Sequence, residues 1–179
     1  MNRRVVLRSA LASGLSFVLA GAMLAFTPGV AHAETTEVYP EYVTADALPT
    51  VQVNGVVWDQ EIIGNTVYAV GNFTQARPAG SAAGANTVAR SNMLAYNLTT
   101  GALISSFAPT FNGQLQSVSA SPDGSRLYVA GQFTTVNGTA RNRLAALNPS
   151  TGALITSFTA GANATVYSVF ATNSTVYIG

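Results

Sequence analysis

Ser121-Pro-Asp-Gly-Ser-Arg-Leu-Tyr-Val-Ala-Gly-Gln-Phe-Thr-Thr-Val-Asn-Gly-Thr-Ala-Arg-Asn-Arg-Leu-Ala-Ala-Leu-Asn148 is the stretch from which the fold reads most directly. Pro122-Asp123-Gly124 is a turn: proline presets φ, aspartate bonds nearby backbone and glycine accepts positive φ. Leu127–Gly131 is a short, β-rich apolar run, as in a strand buried on both faces. Val136-Asn137-Gly138 marks a second turn, and Leu144–Leu147 a further strand. Just upstream, Leu115–Ala120 alternates, which places Leu115 and Ser117 on one face and Gln116 and Val118 on the other. Downstream, Pro149–Gly152 reads as a turn and Ala153–Phe158 as a fourth strand.

The same pattern occurs more than once. Arg90, Asn97, Gly101 and Phe107 recur as Arg141, Asn148, Gly152 and Phe158, and Val118 as Val169, all at an offset of 51. Thr66-Val-Tyr-Ala-Val-Gly-Asn-Phe-Thr74 recurs as Arg126-Leu-Tyr-Val-Ala-Gly-Gln-Phe-Thr134, 60 residues on. It begins again, after 49, at Thr175-Val-Tyr-Ile-Gly179, which sets Gly179 beside Gly71 and Gly131. A longer Arg77–Val88 loop and a shorter Asn173-Ser174 turn account for the unequal offsets. Short strands separated by Gly or Asn turns, at a period near 50, predict an all-β chain of β-propeller-like four-stranded blades in tandem. Such a sheet buries both faces only by stacking on its neighbours.

The Ser121–Asn148 run resembles the delta-60 β-propeller repeat of exported bacterial proteins. That pattern runs P-D-G, apolar strand, G-x-F, V-N-G, R-x-x-[LI]-A-x-L-N, then a glycine and a closing S-F. The resemblance covers residues 51–179 and is looser in the first unit, where Gly64-Asn65 replaces P-D-G and the V-N-G turn is lost in the Arg77–Val88 insertion. It implies a propeller fold and extracellular placement, and no settled biochemical activity. Residues 51–179 amount to about two and a third blades where closed propellers hold about four to eight. The array is therefore expected to be incomplete at its C-terminus.

Residues 1–33 are expected to be a secretory signal peptide. Arg3, Arg4 and Arg8 form a basic start, Leu11–Phe26 is apolar, and Ala31-His32-Ala33 is an A-x-A site with cleavage after Ala33. Asn2-Arg3-Arg4-Val5-Val6-Leu7 fits the twin-arginine pattern as well as an ordinary Sec start. Residues 34–50 read as an N-terminal linker. With the signal removed, five arginines face seven acids, and the net charge moves from +1 to −2. A lysine-free, weakly acidic chain offers no electrostatic footprint for nucleic acid. The mature part has no apolar run long enough to span a membrane.

Missing residue types narrow the chemistry further. The single histidine, His32, falls within the signal, and the chain has no cysteine and no lysine. That removes the Ser-His-Asp triad, thiol nucleophiles, Schiff-base lysines and the usual zinc ligand sets. Asp59 and Glu61 could form a carboxylate pair, although a solvated strand edge is the expected reading. Asp123 reads as a turn residue. No catalytic, cofactor-binding or metal-ligating residue is assigned, and no cofactor is expected.

Phe73, Phe107, Phe133 and Phe158 recur with the repeat and read as core packing between units, with ligand stacking as the alternative. Arg90 and Arg141 read as holders of carbonyls or of a neighbouring unit, with anion recognition as the alternative. Tyr68, Tyr128 and Tyr177 read as sheet residues, and Trp58 as a core cap in preference to a sugar-stacking platform. The sequons at Asn72, Asn97, Asn137, Asn163 and Asn173 read as turn chemistry. The expected function is that of a non-catalytic binding scaffold, secreted or at the cell surface, whose partner is an extracellular protein or glycan. The alternatives are a secreted enzyme with its catalytic residues in further blades or a further domain, and a purely structural wall module.

Overall fold

The computed structural model describes residues 49–179. The expected signal peptide and residues 34–48 of the expected linker lie outside the described residues. Within the described residues, a side chain at Gly101 would run into the Pro49 carbonyl oxygen, and the Val51 N–H donates to the Gly101 carbonyl.

The described chain is all-β. Its first unit contains β1 (Gln52–Val53), β2 (Val56–Ile63), β3 (Thr66–Asn72), β4 (Gln75–Arg77), β5 (Val88–Ala89) and β6 (Met93–Asn97). The second contains β7 (Leu115–Ala120), β8 (Leu127–Gly131), β9 (Thr135–Val136), β10 (Thr139–Ala140) and β11 (Leu144–Leu147). The third contains β12 (Val169–Ala171) and β13 (Val176–Ile178). The main sheets are antiparallel, in the orders β2-β3-β6, β7-β8-β11 and β12-β13, and none closes on itself. Among the described residues no helix is long and apolar enough to cross a membrane.

Both faces of β8 are buried, which explains its uninterrupted apolar run. Leu127 and Val129, with Ala145 and Leu147 of β11, pack against Tyr68, Val70, Met93 and Ala95 of the first sheet. The alternate residues Tyr128 and Ala130, with Leu144 and Ala146, pack against Val169, Ala171 and Val176 of the third. Successive side chains of a strand point to opposite faces, so each sheet contributes to two cores. Phe107 and Phe133 are fully buried in the first of these layers, and Phe73 in a cluster with Ala69, Ala76 and Leu94 on the first sheet's other face.

The hairpins explain the unequal offsets. In the second unit β9 and β10 are joined by Asn137 and Gly138 alone, both at positive φ (49° and 76°), as a type I′ turn requires. In the first unit residues 77–87 separate the equivalent pair, Ala76 and Val88. Four residues join Ile62 to Val67 and Ala171 to Val176, where six (121–126) join Ala120 to Leu127.

Three expectations need correction. The alternation in Leu115–Ala120 is broken by a β-bulge between Leu115 and Ser117, so Leu115 and Val118 share one core and Ser117 points elsewhere. Ala153–Phe158 is not a strand: it makes one bridge, Leu147 to Leu154, and then turns, with the Phe158 N–H donating to the Ile155 carbonyl. Tyr96–Leu103 and Phe107–Ile104 repeat this arrangement in the first unit. Gly179 bonds across to Ser168 as the counterpart of Ala130 opposite Ser117, so it does not match Gly71 or Gly131.

Candidate functional site

The most organised polar feature joins the leading strands of the three sheets. Asp59 and Glu61 on β2 are half-buried, not a solvated edge. The Asp59 Oδ2 accepts from the Ser117 hydroxyl and the Val118 N–H, each at 2.9 Å, and the Glu61 Oε2 accepts from the Ala120 N–H at 3.1 Å. Their other oxygens accept from the Gln60 and Ile62 N–H groups. One sheet further on, serines take over. The Ser117 Oγ accepts from the Val169 N–H (3.3 Å) and the Ser119 Oγ from the Ala171 N–H (3.1 Å). A relay therefore runs from the Val169 N–H through the Ser117 hydroxyl to the Asp59 carboxylate. Both carboxylates are engaged by backbone N–H groups. Asp59→Ala leaves the Val118 N–H and the Ser117 hydroxyl unmatched and is expected to lower stability by about 2 kcal/mol. Asp59→Ser is expected to recover part of that in urea unfolding, because serine performs the same task one sheet on.

The arginines hold carbonyls. Arg90 donates through Nη1 to Ala89 and through Nη2 to Ser105, and Arg141 in the same way to Ala140 and Thr156. Each thereby grips the turn that ends the one-bridge segment. Arg90 is buried, and desolvation lowers its pKa. A lysine lacks the planar fork that reaches two carbonyls. Arg90→Lys is thus expected to lower stability by about 2 kcal/mol in thermal unfolding.

Asp123 lies in the Ser121–Arg126 turn and is fully exposed. Its carboxylate accepts from the Ser121 hydroxyl (2.5 Å) and from the Ser125 N–H (3.0 Å) and hydroxyl. The Ser121 bond, followed by those from Ser125, lowers its pKa from 3.8 to about 2. A depressed carboxyl stabilises the fold above its unfolded pKa, and that contribution disappears as pH falls through the folded value. The difference in melting temperature between the wild type and Asp123→Asn is therefore expected to be constant above about pH 4 and to shrink towards pH 2.

The remaining singled-out residues fall into clear places. Tyr68 packs edge-to-face on Phe107 and Tyr128 on Phe158, with centroids 5.1 and 5.2 Å apart. Phe158 is only half-buried, and Tyr177 is 58% exposed. Trp58 does not cap a core: it is the extra residue of a bulge between Val57 and Asp59 and is 52% exposed. Asn97 accepts from the Thr99 and Thr100 N–H groups, Asn137 from Thr110 and Asn173 from Asp123, all turn or inter-segment roles.

Sequence reasoning missed one pair. The Asn54 Oδ1 accepts from the Thr74 and Gln75 N–H groups and its Nδ2 donates to the Thr74 hydroxyl; Asn112 does the same to Thr134 and Thr135. The signal was available, since Val53-Asn54-Gly55 and Phe111-Asn112-Gly113 both precede a leading strand.

Two open features remain. Residues 77–87 form an exposed loop carrying three positive-φ residues, Gly80, Gly84 and Asn86. Between the second and third sheets lies a groove of about 420 Å³, lined by Tyr128, Leu144, Phe158, Val176 and Ile178 among others. No protein-family model, curated protein or solved structure matches the chain.

Proposed function

We propose that the chain is an exported, non-catalytic scaffold of delta-60-type propeller blades, which binds an extracellular protein or glycan at or outside the cell surface. The observation that carries this reading is the use of the charged side chains. Asp59, Glu61, Arg90, Arg141 and Asp123 all bond to the chain's own backbone or to neighbouring hydroxyls. The one large departure from the repeat is the eleven-residue 77–87 loop, where the second unit has Asn137-Gly138. A rigid repeated frame with its variation in one exposed loop suits recognition better than turnover.

The test replaces residues 77–87 by Asn-Gly, the turn the second unit already uses. Wild-type and shortened chains are compared on a glycan array and on isolated cell-wall polymer, with circular dichroism as the folding check. Retention of the wild type and its loss on shortening is the expected result. Equal retention of both, or hydrolytic turnover of any arrayed glycan by the wild type, overturns the reading.

A further inference from the structure

The leading strands of the three sheets share one irregularity. Trp58 is the extra residue of the bulge between Val57 and Asp59 on β2, and Gln116 that of the bulge between Leu115 and Ser117 on β7. Just ahead of β12 the pattern recurs at Tyr167. Its N–H and that of Ser168 both donate to the Gly179 carbonyl, at 2.7 and 3.1 Å, two residues facing one as in a bulge. Val118–Val129 and Val169–Ile178 are equivalent cross-strand pairs, so Trp58, Gln116 and Tyr167 hold one place in three successive sheets. That place is open to solvent. Gln116 has a sheet on either side and is still only half-buried, and Trp58 is 52% exposed with β7 beside it.

The serine and carboxylate relay fixes the spacing of these three residues. Asp59, next to Trp58, accepts from Ser117 and Val118, next to Gln116, and Ser117 accepts from Val169, two residues after Tyr167. Gly71 and Gly131 lie under the first two bulges with no room for a Cβ. Side chains mounted so firmly are pre-positioned, which lowers the ordering cost of binding. The row presents an indole, a carboxamide and a phenol. No arginine lies on β2, β7 or β12, and the Asp59 and Glu61 carboxylates are occupied by N–H groups. Its chemistry is therefore neutral: two aromatic planes flank a group that both donates and accepts hydrogen bonds. Sugar rings match it, since their C–H faces stack on aromatic planes and their hydroxyls bond to an amide. An anionic polymer would find no cation there.

We propose that Trp58, Gln116 and Tyr167 form a binding row for a neutral polysaccharide. The indole and phenol rings stack on sugar faces, and the Gln116 amide bonds a hydroxyl between them. This names the partner for the function proposed above and rests on that reading. The 77–87 loop springs from the same end of the first sheet, because Asn54, four residues before Trp58, clasps Thr74 and Gln75 at the loop's base.

Trp58 is the chain's single tryptophan, so its emission reports on the row alone. Hexamers of glucose, of mannose and of N-acetylglucosamine are titrated into the full chain, followed by emission and by calorimetry. A saturable blue shift with at least one hexamer, insensitive to added salt, is expected. Tyr167→Ala is expected to weaken binding about tenfold, as for a lost stacking partner, and Gln116→Ala about fivefold, as for a lost hydrogen bond. By calorimetry Trp58→Ala is expected to abolish binding and Trp58→Phe to keep part of it. None of the three side chains is buried, and circular dichroism checks that each variant folds. No binding of any hexamer at millimolar concentration, binding that Gln116→Ala and Tyr167→Ala leave unchanged, or binding only to an anionic polymer and reversed by salt would each overturn the proposal. The chain with residues 77–87 replaced by Asn-Gly separates the two readings. If it binds the hexamers as the wild type does while Tyr167→Ala does not, the row stands and the loop falls. If it loses them while Tyr167→Ala keeps them, the loop stands and the row falls.

Discussion

Replacing Phe133 by alanine is expected to lower the free energy of unfolding by about 4 kcal/mol, a large share of what a domain of this size has. Phe133 is fully buried, and its ring meets Phe111 edge-to-face at 5.1 Å in the layer between the first two sheets. Truncation removes the transfer energy of the ring and leaves a cavity among the side chains of that layer, whose cost adds to it. The same change at the half-buried Phe158 is expected to cost about half as much, because that side chain already meets solvent. Urea unfolding followed by circular dichroism gives both numbers. Equal losses at the two positions would show that the layer between the first two sheets is no tighter than the one after it.

Gly131→Ala is expected to cost about 3 kcal/mol, by overpacking rather than by a cavity. An added Cβ would run into the Gln114 carbonyl oxygen and lie 2.8 Å from the Leu115 Cα. Gly71 has the same relation to Val56 and Val57 in the first unit. In both units the glycine lies opposite the bulge of the leading strand, at Val57/Asp59 and Leu115/Ser117. The bulge pushes backbone onto the glycine, and only a residue without a side chain fits beneath it. Gly138→Ala is the contrasting case. Space around Gly138 is open, but its φ of 76° is unfavourable for alanine, and a loss of about 1 kcal/mol is expected. Melting temperatures of the two variants should separate clearly.

These glycines show where the sequence was legible and where it was not. Leu127–Gly131 and Leu144–Leu147 stood out as strands because burial on both faces demands unbroken apolar runs, and the structure gives those bounds. The Pro122-Asp123-Gly124 and Asn137-Gly138 turns were equally plain, since few residues tolerate their backbone angles. The leading strand was harder. A bulge shifts the side-chain phase by one residue, so alternation in Leu115–Ala120 pointed to the wrong faces and Trp58 read as core when it is the extruded residue. The fourth strand failed for a different reason. Ala153–Phe158 has strand-like composition, but the carbonyl of Thr156 is drawn to Arg141 and the chain turns after one bridge. Arg141 was legible as a holder of carbonyls, but composition does not tell which carbonyl, fifteen residues on, it grips. The roles of Asp59 and Glu61 were hidden likewise, because their partners lie nearly sixty residues away.

The relay through Ser117 has one more implication. Acceptor oxygens on each leading strand face the amide groups of the following one, from Asp59 and Glu61 to Val118 and Ala120, and from Ser117 and Ser119 to Val169 and Ala171. Both junctions therefore have a direction, with acceptor oxygens on the earlier leading strand and amide protons on the later one, and a unit set in backwards would put like against like. Removing the second unit whole would bring Asp59 and Glu61 up to the Val169 and Ala171 N–H groups and keep the chemistry of the junction, whereas removing half a unit would break both junctions.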